Sequence, residues 1–110
     1  MTSLRGFPSY SVLRPPSQSD AATTVATSGT IFPTGLSVVR LTTGGAVTGV
    51  ILDKGSSPGQ TVTLVNESGN SITMAAAATS NVADGTSAVL AANRAYWLVW
   101  DTGTNLWYRS

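Results

Sequence analysis

The sequence contains no cysteine and no histidine. Without cysteine the chain has no disulfide framework, no thiolate metal site and no redox motif. Without histidine it has no imidazole base and lacks the commonest zinc ligand. We therefore expect neither a bound metal ion nor a cofactor in this protein.

Charged residues are scarce as well. They make up 10% of the chain, with six cations, five anions and a formal net charge of +1, whereas ordinary soluble domains contain about 25% charged residues. Such a balance provides no cationic surface for a nucleic-acid backbone, so we expect no nucleic-acid partner. A surface with so little charge also offers little repulsion between neighbouring subunits, which favours a component of an assembly.

Long apolar segments are also missing. No stretch approaches the roughly 18 consecutive apolar residues of a membrane-spanning helix. Residues 1–20 contain no apolar run like that of a secretory signal peptide. We expect no membrane partner, and a length of 110 residues leaves room for a single domain.

The residues that catalysis requires are absent or badly placed. The many serines have no histidine to activate them. The acidic residues Asp53, Glu67, Asp84 and Asp101 fall in predicted loops, where carboxylates usually stabilise turns. The sequence therefore predicts a protein that is not an enzyme.

Residues 1–29 differ from the rest of the chain and predict an extended N-terminal arm. Pro8, Pro15 and Pro16 each remove a backbone donor and favour extended conformations. A disordered tail is one interpretation of this segment. The other is an arm that becomes ordered on a partner, because disordered tails usually lack aromatic residues. The candidate anchors of the arm are Arg5, Phe7, Tyr10, Leu13 and Arg14.

From Thr30 onward, apolar and polar residues alternate with the period of two that is typical of β-strands. The pattern predicts an all-β fold over residues 30–110, a jelly-roll-like β-sandwich of about seven short strands, with Gly49 at a β-bulge. The strand order stays open, as do an immunoglobulin-like and a small-barrel topology. The expected strands are residues 36–42, 46–52, 60–66, 71–74, 87–90, 95–100 and 106–108, with hairpin loops at 67–70 and 101–105.

The strand at residues 95–100 carries large apolar side chains on both faces. Alternation places Tyr96, Leu98 and Trp100 on one face and Trp97 and Val99 on the other. The outer face of a two-sheet sandwich is normally exposed to solvent. The second apolar face of this strand therefore has to be buried by another segment or another subunit. We expect another subunit in a homotrimer to bury it, with the folded-back arm as the alternative. Candidate residues for the oligomer interface or the core are Tyr96, Trp97, Trp100 and Trp107.

Residues 45–108 resemble a known class of protein domain. Residues 59–74 form a Gly-Gln, strand, Asn-x-x-Gly, strand pattern, and two aromatic strands follow at residues 93–101 and 105–108. This order is similar to the small β domains of tailed-bacteriophage virion proteins, which include capsid decoration (cement) proteins and tail-fibre or spike modules.

The resemblance implies a non-enzymatic structural protein of the virion. The first expectation is a decoration protein that binds the major capsid protein on the outer capsid surface, between capsomers, and stabilises the head. The small size of the chain favours decoration over a fibre. The alternative is a tail-fibre or spike module that binds host-surface carbohydrate, with a stacking surface formed by Tyr96, Trp97, Trp100, Trp107 and Tyr108.

Overall fold

Two stacked β-sheets form the part of the chain that the computed structural model describes, which is residue 18, residues 21–33 and residues 35–110. The predicted β-sandwich is therefore confirmed. A short helix, α1, spans Ala77–Ser80, and a 3₁₀ turn spans Gly85–Ser87. The strands are β1 Thr23–Thr24, β2 Thr30–Ile31, β3 Val38–Thr42, β4 Val47–Leu52, β5 Thr61–Asn66, β6 Ile72–Met74, β7 Val89–Leu90, β8 Arg94–Asp101 and β9 Leu106–Arg109.

The chain winds between the two sheets as a flattened coil. The five-stranded sheet has the order β1-β3-β5-β8-β9, and the four-stranded sheet has the order β2-β4-β6-β7. Consecutive strands from β1 to β6 lie in alternate sheets, and each of β1 to β4 pairs in parallel with the next strand but one. The parallel pairs are β1 with β3, β3 with β5, β2 with β4 and β4 with β6. Each parallel pair needs a crossover connection, and the strand in the opposite sheet lies within it. This order differs from that of a jelly roll, whose strands pair antiparallel.

The predicted hairpin at residues 67–70 is wrong, because β5 and β6 lie in different sheets. The buried side chain of Asn66 explains the change of direction. Its amide nitrogen donates to the carbonyls of Asn70 at 2.8 Å, Leu90 at 3.0 Å and Ala91 at 3.2 Å. Its Oδ1 accepts hydrogen bonds from the backbone and hydroxyl of Ser68. These bonds satisfy a polar group in the interior while the chain crosses to the other sheet.

The sandwich begins earlier than residue 30. Thr23 and Thr24 pair with Leu41 and Thr42 of β3, and Val25 is a core residue that is only 5% exposed. Residues 21–29, which the sequence assigned to the arm, therefore contribute to both a sheet and the core. This contribution, together with β2, also explains why the described part of the chain contains nine strands rather than about seven.

Two other local predictions are confirmed. The pairing register of β4 with β6 shifts between Val47 and Val50, with one extra residue on β4, and Gly49 within that interval has a φ of +66°, a conformation found in glycine-containing β-bulges. The turn after residue 101 joins β8 and β9 as an antiparallel hairpin, with Trp100 opposite Trp107.

The core lies between the sheets and is closed at one side by two tryptophans. The rings of Trp100 and Trp107 have centroids 5.4 Å apart and are tilted by 58°. The indole N–H of Trp107 donates to the carbonyl of Asp53 at 2.8 Å, which satisfies its polar group. Apart from Trp107, the largest fully buried side chains are Ile31, Leu41, Leu52, Leu64, Ile72, Met74, Leu90 and Leu98.

Within the described residues, no helix is long and apolar enough to cross a membrane.

Replacing the two tryptophans of β8 one at a time tests this assignment of faces. Trp100 is 4% exposed and Trp97 is 51% exposed. We expect Trp100→Ala to lower the free energy of unfolding by about 3–5 kcal/mol, because it removes a large core side chain. The matched control, Trp97→Ala, is expected to cost less than about 1 kcal/mol. Urea denaturation followed by circular dichroism measures both values, and equal losses would contradict the assignment.

A second prediction concerns the close contact between Gly55 and the indole of Trp100. A Cβ atom at position 55 would overlap the indole ring, so we expect Gly55→Ala to destabilise the fold by about 2–3 kcal/mol. Gly44 is the control, because a Cβ atom there meets nothing within 4 Å. Thermal unfolding of both variants gives the comparison. A Gly55→Ala protein as stable as Gly44→Ala would show that the Trp100 ring moves away at little cost.

Candidate functional site

The outer face of the five-stranded sheet is the candidate site. The alternation of β8 that buries Leu98 and Trp100 turns Trp97 and Val99 outward. Tyr108 of β9 lies opposite Val99 and belongs to the same face. Trp97 and Tyr108 are 51% and 44% exposed. Around them, the outer face consists mainly of uncharged side chains, which are Val38, Thr61, Thr63, Val65, Ala95, Val99 and Leu106.

Trp97 and Tyr108 form an aromatic pair across two neighbouring strands. Tyr108 faces Val99, and Trp97 lies two residues away from Val99 on the same strand. They are therefore diagonal neighbours, whose Cα atoms are typically about 7–8 Å apart, a distance that aromatic side chains can bridge. An elongated ligand lying across β8 and β9 would contact both rings.

A chain of hydrogen bonds holds the ring of Tyr108 in place. The Tyr108 hydroxyl donates to Oγ1 of Thr104 at 3.1 Å, and this oxygen donates to Oδ2 of Asp101 at 2.9 Å. Oδ1 of Asp101 accepts the backbone N–H of Gly103 at 3.1 Å. The turn after β8 thus hydrogen-bonds the hydroxyl end of Tyr108, which favours one orientation of the ring.

The positive charge of Arg40 on the outer face is paired. Nε of Arg40 lies 2.7 Å from Oε2 of Glu67, and Nη2 lies 3.1 Å from Oε1, so the contact is bidentate. This hydrogen bond lowers the pKa of the Glu67 carboxyl and raises the pKa of Arg40. Because the pKa of Glu67 is lowered in the folded protein, the Arg40–Glu67 ion pair persists as the pH falls. The pair is lost when the pH falls through that lowered pKa.

The structure separates the aromatic residues that the sequence grouped together. Trp100 and Trp107 lie in the core, so a ligand on the outer face does not reach them. Tyr96 is half-buried and packs against the core. Its hydroxyl accepts the N–H of Ala91 at 3.1 Å, and the guanidinium of Arg109 lies 5.6 Å from its ring centroid. Of the five aromatic residues proposed as a stacking surface, Trp97 and Tyr108 stand on the outer face.

Asp101 and Thr104 were not recognised from the sequence as part of this surface. One signal was available, since Asp101 follows Trp97 by four positions and therefore shares its face of β8. Thr104 carried no such signal, because its contact with Tyr108 depends on how the turn folds.

The remaining predicted site residues, the arm anchors Arg5, Phe7, Tyr10, Leu13 and Arg14, lie outside the described residues. Within residue 18 and residues 21–33 and 35–110, no group of three acidic side chains is placed to hold a metal ion.

Comparison with known protein families gives a match over most of the chain. A family model described as "Phage depolymerase C-terminal beta sandwich domain" matches residues 18–108, and this range contains both sheets. No curated protein and no solved structure matches the chain. The family agrees with the expected phage virion β domain, and it lies nearer the tail-fibre or spike alternative than capsid decoration. The chain belongs to the family of phage depolymerase C-terminal β-sandwich domains.

Proposed function

We propose that this protein is a non-catalytic module of a phage tail spike and that it binds host-surface carbohydrate on the aromatic pair Trp97 and Tyr108. The family description supports the spike location, because it names a domain of phage depolymerases, proteins that act on polymers. Capsid decoration, with the major capsid protein as partner, remains a prediction without support from the family match.

The observation that carries this proposal is the exposure of two large rings, Trp97 and Tyr108, on a sheet face whose described charged groups are the Arg40–Glu67 pair and Asp101. Sugar rings have apolar C–H faces, which pack well on aromatic surfaces, and polar edges, which hydrogen-bond to neighbouring groups. Trp97 and Tyr108 supply the aromatic surface. The threonines of β5 and the turn that holds the Tyr108 hydroxyl supply polar groups beside it.

The positions of the carboxylates favour binding over hydrolysis. Most glycoside hydrolases use two carboxyl groups within about 10 Å of each other. On the outer face, Asp101 ends β8, whereas Glu67 directly follows Asn66, the residue that pairs with Arg94 at the start of β8. Asp101 lies seven positions after Arg94 in extended chain, which corresponds to a distance of about 24 Å. Glu67 is also occupied by Arg40.

A second copy of this chain is the other candidate occupant of the outer face. The aliphatic side chains Val38, Val65, Val99 and Leu106 extend the apolar area beyond the aromatic pair. This observation favours the homotrimer expected from the sequence, since a contiguous apolar area commonly marks an interface between subunits. A trimer that covered Trp97 would leave no room for carbohydrate on the same rings.

Binding to a panel of bacterial surface polysaccharides, followed by tryptophan fluorescence and calorimetry, tests the proposal. We expect Trp97→Ala to weaken binding at least about tenfold, which corresponds to about 1.4 kcal/mol, because it removes one of the two rings. Phe32→Ala is the matched control. Phe32 is an aromatic residue that is 63% exposed, and it directly follows β2 in the other sheet, so its removal should leave binding unchanged.

Two results would contradict carbohydrate binding. The first is equal loss of binding in the Trp97 and Phe32 variants. The second is a trimer by light scattering in which the fluorescence of Trp97 is shielded from acrylamide, with Trp97→Ala producing monomers. That second result would identify another copy of the chain as the occupant.

A further inference from the structure

We infer that the aromatic pair selects an uncharged, extended oligosaccharide and discriminates against saccharides that carry carboxylates. This inference rests on the proposed carbohydrate function and adds the chemical class of the ligand. The geometry points to a glycan that crosses β8 and β9 diagonally, from Trp97 to Tyr108, because these two rings are diagonal cross-strand neighbours.

The first reason is that, among the residues that the structure describes, the cation on the outer face is already paired and is not open to an acidic sugar. Its positive side chain, Arg40, makes a bidentate contact with Glu67. A carboxylate on a sugar would have to compete with Glu67 for the same donors. Arginine binds a carboxylate most strongly in this two-bond geometry, so the competition favours the residue already held there.

The other cations in the described part of the chain belong elsewhere. Arg109 is paired with Asp84, with Nε 3.0 Å from Oδ2, and lies over the ring of Tyr96. Arg94 lies three positions before Trp97 on β8. Because side chains of a strand point alternately to its two faces, Arg94 lies on the face opposite Trp97. Lys54 follows β4, a strand of the four-stranded sheet.

The second reason is the negative charge at the Tyr108 end of the pair. Asp101 shares the outer face with Trp97 and Val99, is exposed, and connects to the Tyr108 hydroxyl through Thr104. Its carboxylate accepts hydrogen bonds only, so it favours a sugar hydroxyl, which donates. A sugar carboxylate at the same position would meet a like charge, which is unfavourable at close range.

Matched pairs of polysaccharides that differ only in charge test this inference on the purified chain. The probes are uronic acid-containing polysaccharides in native form and after chemical reduction of their carboxylates to neutral hydroxymethyl groups. We expect the reduced form of a bound polysaccharide to bind at least about tenfold more tightly than the native form. The preference should shrink as salt is raised from 0.02 M to 0.5 M, since salt screens the repulsion.

The variants assign the discrimination to one residue. Asp101→Asn should strengthen binding of the acidic form at least about threefold relative to binding of the neutral form, because it removes the like charge. Asp53→Asn is the control, because it makes the same change in net charge at a residue that follows β4, outside the outer face. Thermal unfolding of both variants verifies that the fold is retained.

The outcomes distinguish a failure of the charge selectivity from a failure of carbohydrate binding. Equal or tighter binding of the acidic forms, or identical effects of Asp101→Asn and Asp53→Asn, would overturn the charge selectivity and leave carbohydrate binding intact. Absence of binding to both forms of every probe would overturn carbohydrate binding and the selectivity together.

Discussion

The packing of Trp100 against Trp107 and Gly55 is the contact on which the rest of the structure depends. Trp100 lies on β8 and Trp107 lies on β9, while Gly55 belongs to the segment that leads from one sheet to the other. The indole of Trp107 also hydrogen-bonds to the backbone at Asp53. One aromatic cluster therefore joins the β8–β9 hairpin to the coil, and removing part of it exposes a large apolar area to water.

The same strand that supplies this cluster also supplies the outer surface. In a strand, neighbouring side chains point to opposite faces, so burying Trp100 inside commits Trp97 to the outside. The core and the candidate site are consequently coupled through the register of β8. A shift of that register by one residue would exchange the buried and exposed tryptophans, and the many pairs between β5 and β8 oppose such a shift.

The coil topology brings the parts of the site together from distant segments. Arg40 comes from β3, and Glu67 comes from the loop after β5, yet they meet as an ion pair on the outer face. Parallel pairing of β3 with β5 places them side by side. The surface that results has two exposed rings, little net charge and one anchored carboxylate, a combination suited to a ligand that presents apolar faces and hydroxyl groups.

Much of this architecture was predictable from local pattern. Alternation predicted the strands β3 to β9, the two apolar faces of β8 and the final hairpin, because these depend on residues that are neighbours in the chain. A glycine in a strand was enough to predict the bulge at Gly49. The lack of histidine and cysteine and the scarcity of charged residues are read directly from the composition and need no structure.

What the tertiary structure decided is which strands meet. Residues 60–74 look like a hairpin in sequence, but Asn66 makes bonds to carbonyls as far away as Leu90, and these bonds turn the chain into the other sheet. Residues 21–29 look like a linker, but β3 offers them an edge to pair with. The exposure of Trp97 and the burial of Trp107 likewise depend on neighbours that lie far away in the chain. Alternation along a strand shows which residues share a face. Which of the two faces is buried is determined by the packing of segments that are distant in the chain.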